Sequence, residues 1–174
     1  MDNNVFSVLS RYAPRATENY LTEAFVFVVK MLLDRQSDAG LDIVNRLCDL
    51  SLDFTNPKTI VITTQRTSEN GRPDIEIVED NNTVVFVEVK HDSPLSPGQL
   101  ESYLDTLQKR DVMNTRLVLL TRSRSASLGT TLASSEYHHV CWYDIYNWLA
   151  ELEFQDEISG YFVEYFMDFL QKRG

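Results

Sequence analysis

Two adjoining stretches near the middle of the chain alternate polar and aliphatic residues with a period of two, which is typical of half-buried β-strands. In the first stretch Asp74 and Glu76 fall on one face and two isoleucines on the other. In the second, Glu88 and Lys90 share a face and three valines take the opposite one. The pattern therefore predicts a β-hairpin with one aliphatic face and one charged face. The two stretches are residues 71–77 and 83–90, and the polar break between them is residues 80–82.

Side-chain parity predicts the register of this hairpin, because residues directly opposite each other in an antiparallel pair lie on the same face. A two-residue turn would put Asp74 and Glu88 on opposite faces. A three-residue turn over residues 80–82 pairs Glu79 with Thr83 and Asp74 with Glu88, and it collects the aliphatic side chains on the other face. Asp and Asn tolerate the left-handed backbone that such a turn needs. We expect this register, or a bulge with the same effect.

The apolar positions elsewhere predict the elements around the hairpin. Spacings of three and four residues predict helices, and short apolar runs predict further strands. A hairpin followed by a crossover helix and another strand requires a mixed sheet covered on both sides. We therefore predict a three-layer α/β/α sandwich with a mixed central sheet. The predicted helices are residues 17–35 (N-cap Thr17), 41–50, 97–110 (N-cap Ser96), 145–153 and 157–172, and the further strands are 59–64, 116–121 and 139–142.

Composition limits the class of protein. A chain of 174 residues that is 43% hydrophobic suits one domain with a substantial core, and we expect residues 1–174 to form it, either complete or as the N-terminal part of a larger protein. The formal charge of −10 argues against a general nucleic-acid coat, although residues 109–124 carry five basic residues and one acid. The sequence has no apolar run that would span a bilayer, no signal-peptide pattern and only two cysteines. These features favour a cytoplasmic protein with no membrane partner.

The charged face of the hairpin is suited to binding a divalent metal ion. Two carboxylates side by side repel each other unless a cation lies between them. Oxygen ligands suit Mg²⁺ or Mn²⁺, and the backbone carbonyl of Val89 can supply a third ligand beside Asp74 and Glu88. Lys90 can then position or activate a water, or stabilise charge on a phosphate. The alternative is a solvated strand face, on which Glu-x-Lys is common.

These residues resemble a known motif. Pro73-Asp74 followed by Glu88-Val89-Lys90 is similar to the signature of the PD-(D/E)xK nuclease superfamily, and the predicted element order is similar to its restriction-endonuclease-like αβββαβ core over residues 17–149. The resemblance implies a nuclease that needs Mg²⁺ or Mn²⁺ and cleaves DNA, with RNA as the second candidate substrate. It also implies that Asp74 and Glu88 bind the metal ion and that Lys90 assists the attacking water.

The same resemblance extends to residues outside the hairpin. Gln99 and Tyr103 resemble the Gln-x-x-x-Tyr signature of RecB-like branches, which implies that they line the active site and touch the substrate. Family members place a glutamate on the first helix to complete the metal network, which implies Glu18. The alternatives are a capping box for Gln99, a core position for Tyr103 and a favourable first-turn charge for Glu18. Arg72 borders the site and is a candidate phosphate contact, or else a solvated loop charge.

Two readings of the function remain open. The first is a nuclease acting in phage defence, repair or recombination. The second is a catalytically inactive nuclease fold that serves as an interaction module. The broad aromatic stripe in residues 157–172 is expected to be mostly core, with the remainder available for a homodimer or for attachment to a sensor domain. We expect Glu76, which shares the face of Asp74, to be an exposed strand charge, with support of the metal ligands as the alternative. We expect His139 to be structural or exposed.

Overall fold

The computed structural model shows five strands and six α-helices in the part of the chain that it describes. The described residues are 4–12, 17–65, 73–80, 82–91, 93–124 and 130–173. The strands are β1 (Ile60–Thr64), β2 (Ile75–Glu79), β3 (Thr83–Lys90), β4 (Asn114–Thr121) and β5 (His138–Cys141). The helices are α1 (Val5–Ser10), α2 (Thr17–Arg35), α3 (Ser37–Cys48), α4 (Gln99–Gln108), α5 (Trp142–Ala150) and α6 (Glu157–Arg173).

The strands form one mixed sheet in the order β1-β2-β3-β4-β5. Strands β1, β2 and β3 are antiparallel neighbours, whereas β3, β4 and β5 run parallel. One face of the sheet packs against the helices α2, α3, α5 and α6 in the larger hydrophobic cluster, and the other packs against α4 in a smaller one. The predicted three-layer α/β/α sandwich with a mixed sheet is confirmed.

The hairpin has the predicted three-residue register. Glu79 pairs with Thr83 and Ile77 pairs with Val85, so the aliphatic side chains gather on one face. Asp80 adopts the left-handed backbone conformation expected of the turn, with φ of +44°. Continued by one residue, this register brings Asp74 beside the end of β3.

Several element boundaries differ from the predicted ones. Helix α3 begins at Ser37, before the predicted start, and Gly40 then packs against the backbone of α2 at Leu33. Helix α4 begins at Gln99, so Ser96 is not its N-cap; Gly98 precedes the helix with a left-handed φ of +74°, which breaks the helical path from Ser96. Helix α2 begins at Thr17 itself.

Two further boundaries depend on side-chain hydrogen bonds. Strand β5 ends at Cys141, and Trp142 opens α5 because Asp144 accepts the backbone N–H of Cys141 at 2.9 Å. Asn4 caps α1 by accepting the N–H groups of Phe6 and Ser7. Both cysteines are buried and free. None of the helices in the described ranges combines the length and apolarity needed to cross a bilayer.

Candidate active site

The charged residues of the hairpin meet where β3 ends. Asp74 lies just before β2, and its Oδ2 accepts the backbone N–H of Val89 at 2.8 Å. This bond holds the carboxylate against the end of the neighbouring strand. Glu88 and Lys90 project from β3 on the face that packs against α4, because Phe86 on the same side contacts Tyr103 of that helix. The predicted pairing therefore places Asp74, Glu88 and Lys90 at one edge of the sheet.

Glu88 is the most buried charged group of the site, with 1% of its surface exposed. Its Oε1 accepts hydrogen bonds from Lys90 Nζ at 2.5 Å and from Gln99 Nε2 at 2.7 Å. Its Oε2 is also buried and has no hydrogen-bond partner. Burial, and then the negative charge of Asp74, raise the pKa of Glu88 to about 7, although Lys90 and Tyr103 oppose this rise. A cation beside Oε2 would relieve both effects.

Lys90 is held between two carboxylates. Its Nζ lies 2.5 Å from Glu88 Oε1 and 4.0 Å from Glu18 Oε1. Burial by itself would lower the pKa of Lys90, but the hydrogen bond and charge of Glu88 raise it above its ordinary value. In this arrangement Lys90 is an ammonium ion that carries positive charge and N–H donors at the site.

Glu18 reaches the site from the first turn of α2. Its Oε2 accepts the backbone N–H of His91 and the hydroxyl of Ser93, both at 2.8 Å. These bonds tie the chain that leaves β3 to the start of α2, and they place Oε1 near Lys90. Glu18 therefore does more than complement the helix dipole, because it fixes the position of the segment that follows Lys90.

Gln99 connects α4 to the buried carboxylate. Its Nε2 donates to Glu88 Oε1, and its Oε1 accepts the backbone N–H of Ser96 at 3.2 Å. Gln99 thus contacts the active site and also accepts the backbone N–H three residues before it. This is not the capping box considered as the alternative, because Ser96 is not the N-cap of α4. The hydroxyl of Tyr103 lies 3.4 Å from Gln99 Nε2, and its ring packs edge-on against Phe86 with 4% of the residue exposed. Burial raises the pKa of Tyr103 to about 12, so its phenol stays neutral.

The donor set fits a divalent cation held by two side chains. Asp74 and Glu88 supply carboxylate oxygens, and the unpartnered Oε2 of Glu88 is an acceptor without a donor. The described ranges contain no group of three or more acidic, histidine or cysteine side chains placed to hold a metal ion. Glu18 consequently does not complete a three-carboxylate set in this arrangement. Additional ligands would come from the backbone, as predicted for Val89, or from water.

Some of the remaining candidates have different surroundings from those expected. Arg72 lies outside the described residues. Glu76 is 4% exposed and pairs with Arg110 at 3.3 Å, so the expectation of an exposed strand charge is wrong. Tertiary packing under α4 buries it. Most of the basic residues between 109 and 124 also pair with acids; the pairs are Lys109–Asp105, Arg110–Glu76, Arg116–Asp49 and Arg124–Asp144.

The sequence did not predict that Thr121 lies beside Lys90, nor that Thr121 contacts His139. Thr121 of β4 is the parallel partner of Lys90, and its Oγ1 lies 2.8 Å from His139 Nε2. Burial, and then the charge of Arg124, lower the pKa of His139, so the ring favours its neutral form. No local spacing signals this group, since only the parallel register of the strands brings it beside Lys90.

One of three comparisons with known proteins found a related family. A family model described as the PD-(D/E)XK nuclease superfamily matches residues 7–164. Comparison with curated proteins and with solved structures found no match. The matched range covers most of the chain and includes both strands of the hairpin together with α4. The chain belongs to the PD-(D/E)XK nuclease superfamily.

Proposed function

We propose that this protein is a nuclease that uses Mg²⁺ or Mn²⁺ to hydrolyse phosphodiester bonds of DNA; RNA is the second candidate substrate. Membership of the nuclease superfamily supports hydrolysis of nucleic acid. The observation that carries the proposal is the buried, unpartnered Oε2 of Glu88 next to Asp74 and the Lys90 ammonium. A solvated strand face would not bury that oxygen without a partner.

Asp74 and Glu88 would bind the ion, and the carbonyl of Val89 is the proposed third ligand from the protein. When bound, a divalent ion lowers the pKa of a coordinated water and offsets the negative charge of a phosphate. The hydrogen bond from Val89 N–H fixes one oxygen of Asp74, and Gln99 with Lys90 fixes Oε1 of Glu88. The two carboxylates are therefore positioned before the ion arrives.

Lys90 is proposed to align the attacking water or to stabilise charge on the phosphate. Its ammonium group carries three N–H donors; one is directed at Glu88, whereas Glu18 at 4.0 Å lies beyond hydrogen-bonding distance. Gln99 is proposed to position Glu88, and Glu18 to position Lys90. The hydroxyl of Tyr103 lies next to the side-chain amide of Gln99. Because Tyr103 is buried, its proposed role is to position Gln99 rather than to contact the substrate.

Plasmid digestion tests this proposal. The parent protein should cleave DNA in Mg²⁺ or Mn²⁺, and Asp74→Ala, Glu88→Gln and Lys90→Ala should each lose about 100-fold or more of the rate. Two exposed residues supply matched controls that should keep full activity, Asp34→Ala and Lys58→Ala. Calorimetric titration with Mn²⁺ should show weaker binding for Asp74→Ala. Digestion by the hairpin variants at the parent rate would overturn the proposal.

The second candidate is an interaction module that retains the fold without turnover. It is favoured by apolar side chains exposed on the α2–α6 surface, where Phe27, Ile158 and Tyr161 are 47%, 48% and 58% exposed. A homodimer or a sensor domain would cover this surface. A parent protein that cleaves no DNA in either metal, yet forms a dimer that Tyr161→Glu dissociates in light scattering, would decide for the module.

A further inference from the structure

A cavity of about 290 Å³ lies close to the active site on the other face of the sheet. Its volume is at the small end of the range for small-molecule sites, roughly 300 to 1,000 Å³. Two of its residues also belong to the core on the α2, α5 and α6 side, which places the cavity away from α4. It is mostly apolar, with a single cationic side chain in its lining. The lining residues are Arg122, Trp142, Tyr143, Tyr146, Leu170 and Gln171.

This cavity shares a strand end with the active site. The backbone N–H of Arg122 donates to the carbonyl oxygen of Lys90 at 3.2 Å, so the two residues are neighbours across the parallel strands β3 and β4. Side chains alternate along each strand, and Lys90 faces α4 whereas Arg122 faces α5. A strand of nucleic acid that crosses this edge of the sheet would therefore pass both groups.

The aromatic rings of the cavity are held in place. Trp142 is 2% exposed and packs edge-on against Phe25, with ring centroids 5.5 Å apart. The hydroxyl of Tyr146 accepts a hydrogen bond from Gln171 Nε2 at 2.6 Å. Tyr143 is 69% exposed at the rim and has its ring available for stacking. Trp142 and Tyr146 thus form a packed inner wall of the cavity. Its rim carries the aromatic ring of Tyr143 together with the guanidinium of Arg122.

We propose that this cavity binds one unstacked nucleobase of the substrate strand, with the adjoining phosphate on Arg122. The inference rests on the proposed nuclease function. Aromatic side chains stack on any base, because every base has a π-face, and a guanidinium matches a phosphate with two parallel N–H donors. A base within a duplex would first have to be unpaired and unstacked, at a cost in free energy that a single strand does not have. The site therefore selects single-stranded DNA, or unpaired ends, next to the scissile phosphate.

The test is fluorescence anisotropy with a labelled single-stranded oligonucleotide, using the full chain with Glu88→Gln in every sample so that the strand stays intact. Tyr143→Ala and Arg122→Gln should each raise Kd about tenfold. Arg122→Gln should also reduce the slope of log Kd against log salt by about 0.7, as expected for one lost phosphate contact on a single strand. Tyr143→Ala should leave that slope unchanged.

Two exposed residues supply matched controls, Tyr165→Ala for the ring and Lys30→Gln for the charge, and the Kd of each should lie within twofold of that of the protein carrying Glu88→Gln alone. If the Kd values of Tyr143→Ala and Arg122→Gln also lie within twofold of that of the protein carrying Glu88→Gln alone, the cavity does not hold the strand and the inference is overturned. Equal tenfold losses on a blunt-ended duplex would overturn the requirement for an unstacked base. A cavity that instead receives a side chain of a protein partner would leave the oligonucleotide Kd of both cavity variants unchanged.

These results are separable from the fate of the nuclease proposal. A parent protein that digests plasmid while the two cavity variants bind single strands normally would refute the cavity inference alone. A parent protein that neither digests plasmid nor binds the oligonucleotide would refute both.

Discussion

Gln99 Nε2 donates a hydrogen bond to Glu88 Oε1 at 2.7 Å, so the first residue of α4 holds the buried carboxylate of β3. Lys90 Nζ, from β3 itself, donates to the same oxygen. Both donors on Oε1 leave Oε2 as the acceptor without a partner. The orientation of the proposed metal ligand thus depends on a side chain from a different layer of the fold.

Removing the hydrogen bond between Gln99 and Glu88 should weaken Mn²⁺ binding or metal-dependent cleavage without unfolding the protein. Gln99→Ala releases Glu88 Oε1 from α4, and we expect a loss of about 10- to 100-fold in Mn²⁺ affinity or cleavage rate, as for other residues that orient a metal ligand. Gln108→Ala, at the exposed far end of the same helix, is the matched control. Mn²⁺ titration and plasmid digestion measure the effect. Unchanged Mn²⁺ dependence in Gln99→Ala would contradict this role.

The ion pair between Arg110 and Glu76 should contribute to stability. Arg110→Ala leaves a carboxylate that is 4% exposed without this cation, and we expect the free energy of unfolding to fall by about 1 to 2 kcal/mol. Lys109→Ala breaks an exposed pair with Asp105 and should change the free energy of unfolding by about 0.5 kcal/mol or less. Urea denaturation compares the two. If the free energy of unfolding fell equally in both variants, the ion pair between Arg110 and Glu76 would contribute no more to stability than the exposed pair.

The contact between α2 and α3 requires glycine at position 40. A Cβ on Gly40 would lie 2.5 Å from the backbone nitrogen of Leu33 and 2.7 Å from its Cα, so the helices would have to separate. We expect Gly40→Ala to lower the free energy of unfolding by about 2 to 3 kcal/mol. The atoms nearest to a Cβ on Gly160 of α6 would belong to the Phe154 side chain, at an ordinary contact distance of 3.6 Å. Gly160→Ala should therefore be neutral or stabilise by up to about 1 kcal/mol in the same urea series.

Glu101 should make stability depend on pH in the acidic range. Its Oε1 accepts the backbone N–H of Thr131 at 2.8 Å, the hydroxyl of Thr131 at 2.7 Å and that of Thr130 at 3.0 Å. The backbone of Thr131, followed by its hydroxyl, lowers the pKa of Glu101 from 4.5 to about 2. The folded-state pKa lies below the unfolded value, so this stabilisation is present above pH 4.5 and is lost as the pH falls towards 2.

Thermal unfolding of Glu101→Gln beside the parent measures this dependence. The variant should have the lower Tm at neutral pH, and the difference should shrink as the pH falls from 4.5 towards 2. Glu164→Gln, on the exposed side of α6, should show no such trend. A Tm difference that stays constant over the acidic range would mean that the charge of Glu101 has no part in it.

The sequence by itself determined the hairpin and the residues that it brings together. Alternation with period two assigns Asp74, Glu88 and Lys90 to one face, and only a three-residue turn buries the aliphatic side chains on the other. Asp80 accommodates the left-handed turn that this register requires. Local backbone geometry and burial demand the same register, which is why it could be predicted without coordinates.

Tertiary structure decided everything that depends on contacts between distant segments. Gly98 delayed the start of α4 and set Gln99 where it reaches Glu88, and packing beneath that helix buried Glu76. The parallel register of β3 and β4 brought Arg122 beside Lys90 and opened a cavity between that residue and α5. Periodicity reports which face of an element is buried, but not which residue of another element will meet it, because that depends on how the layers pack.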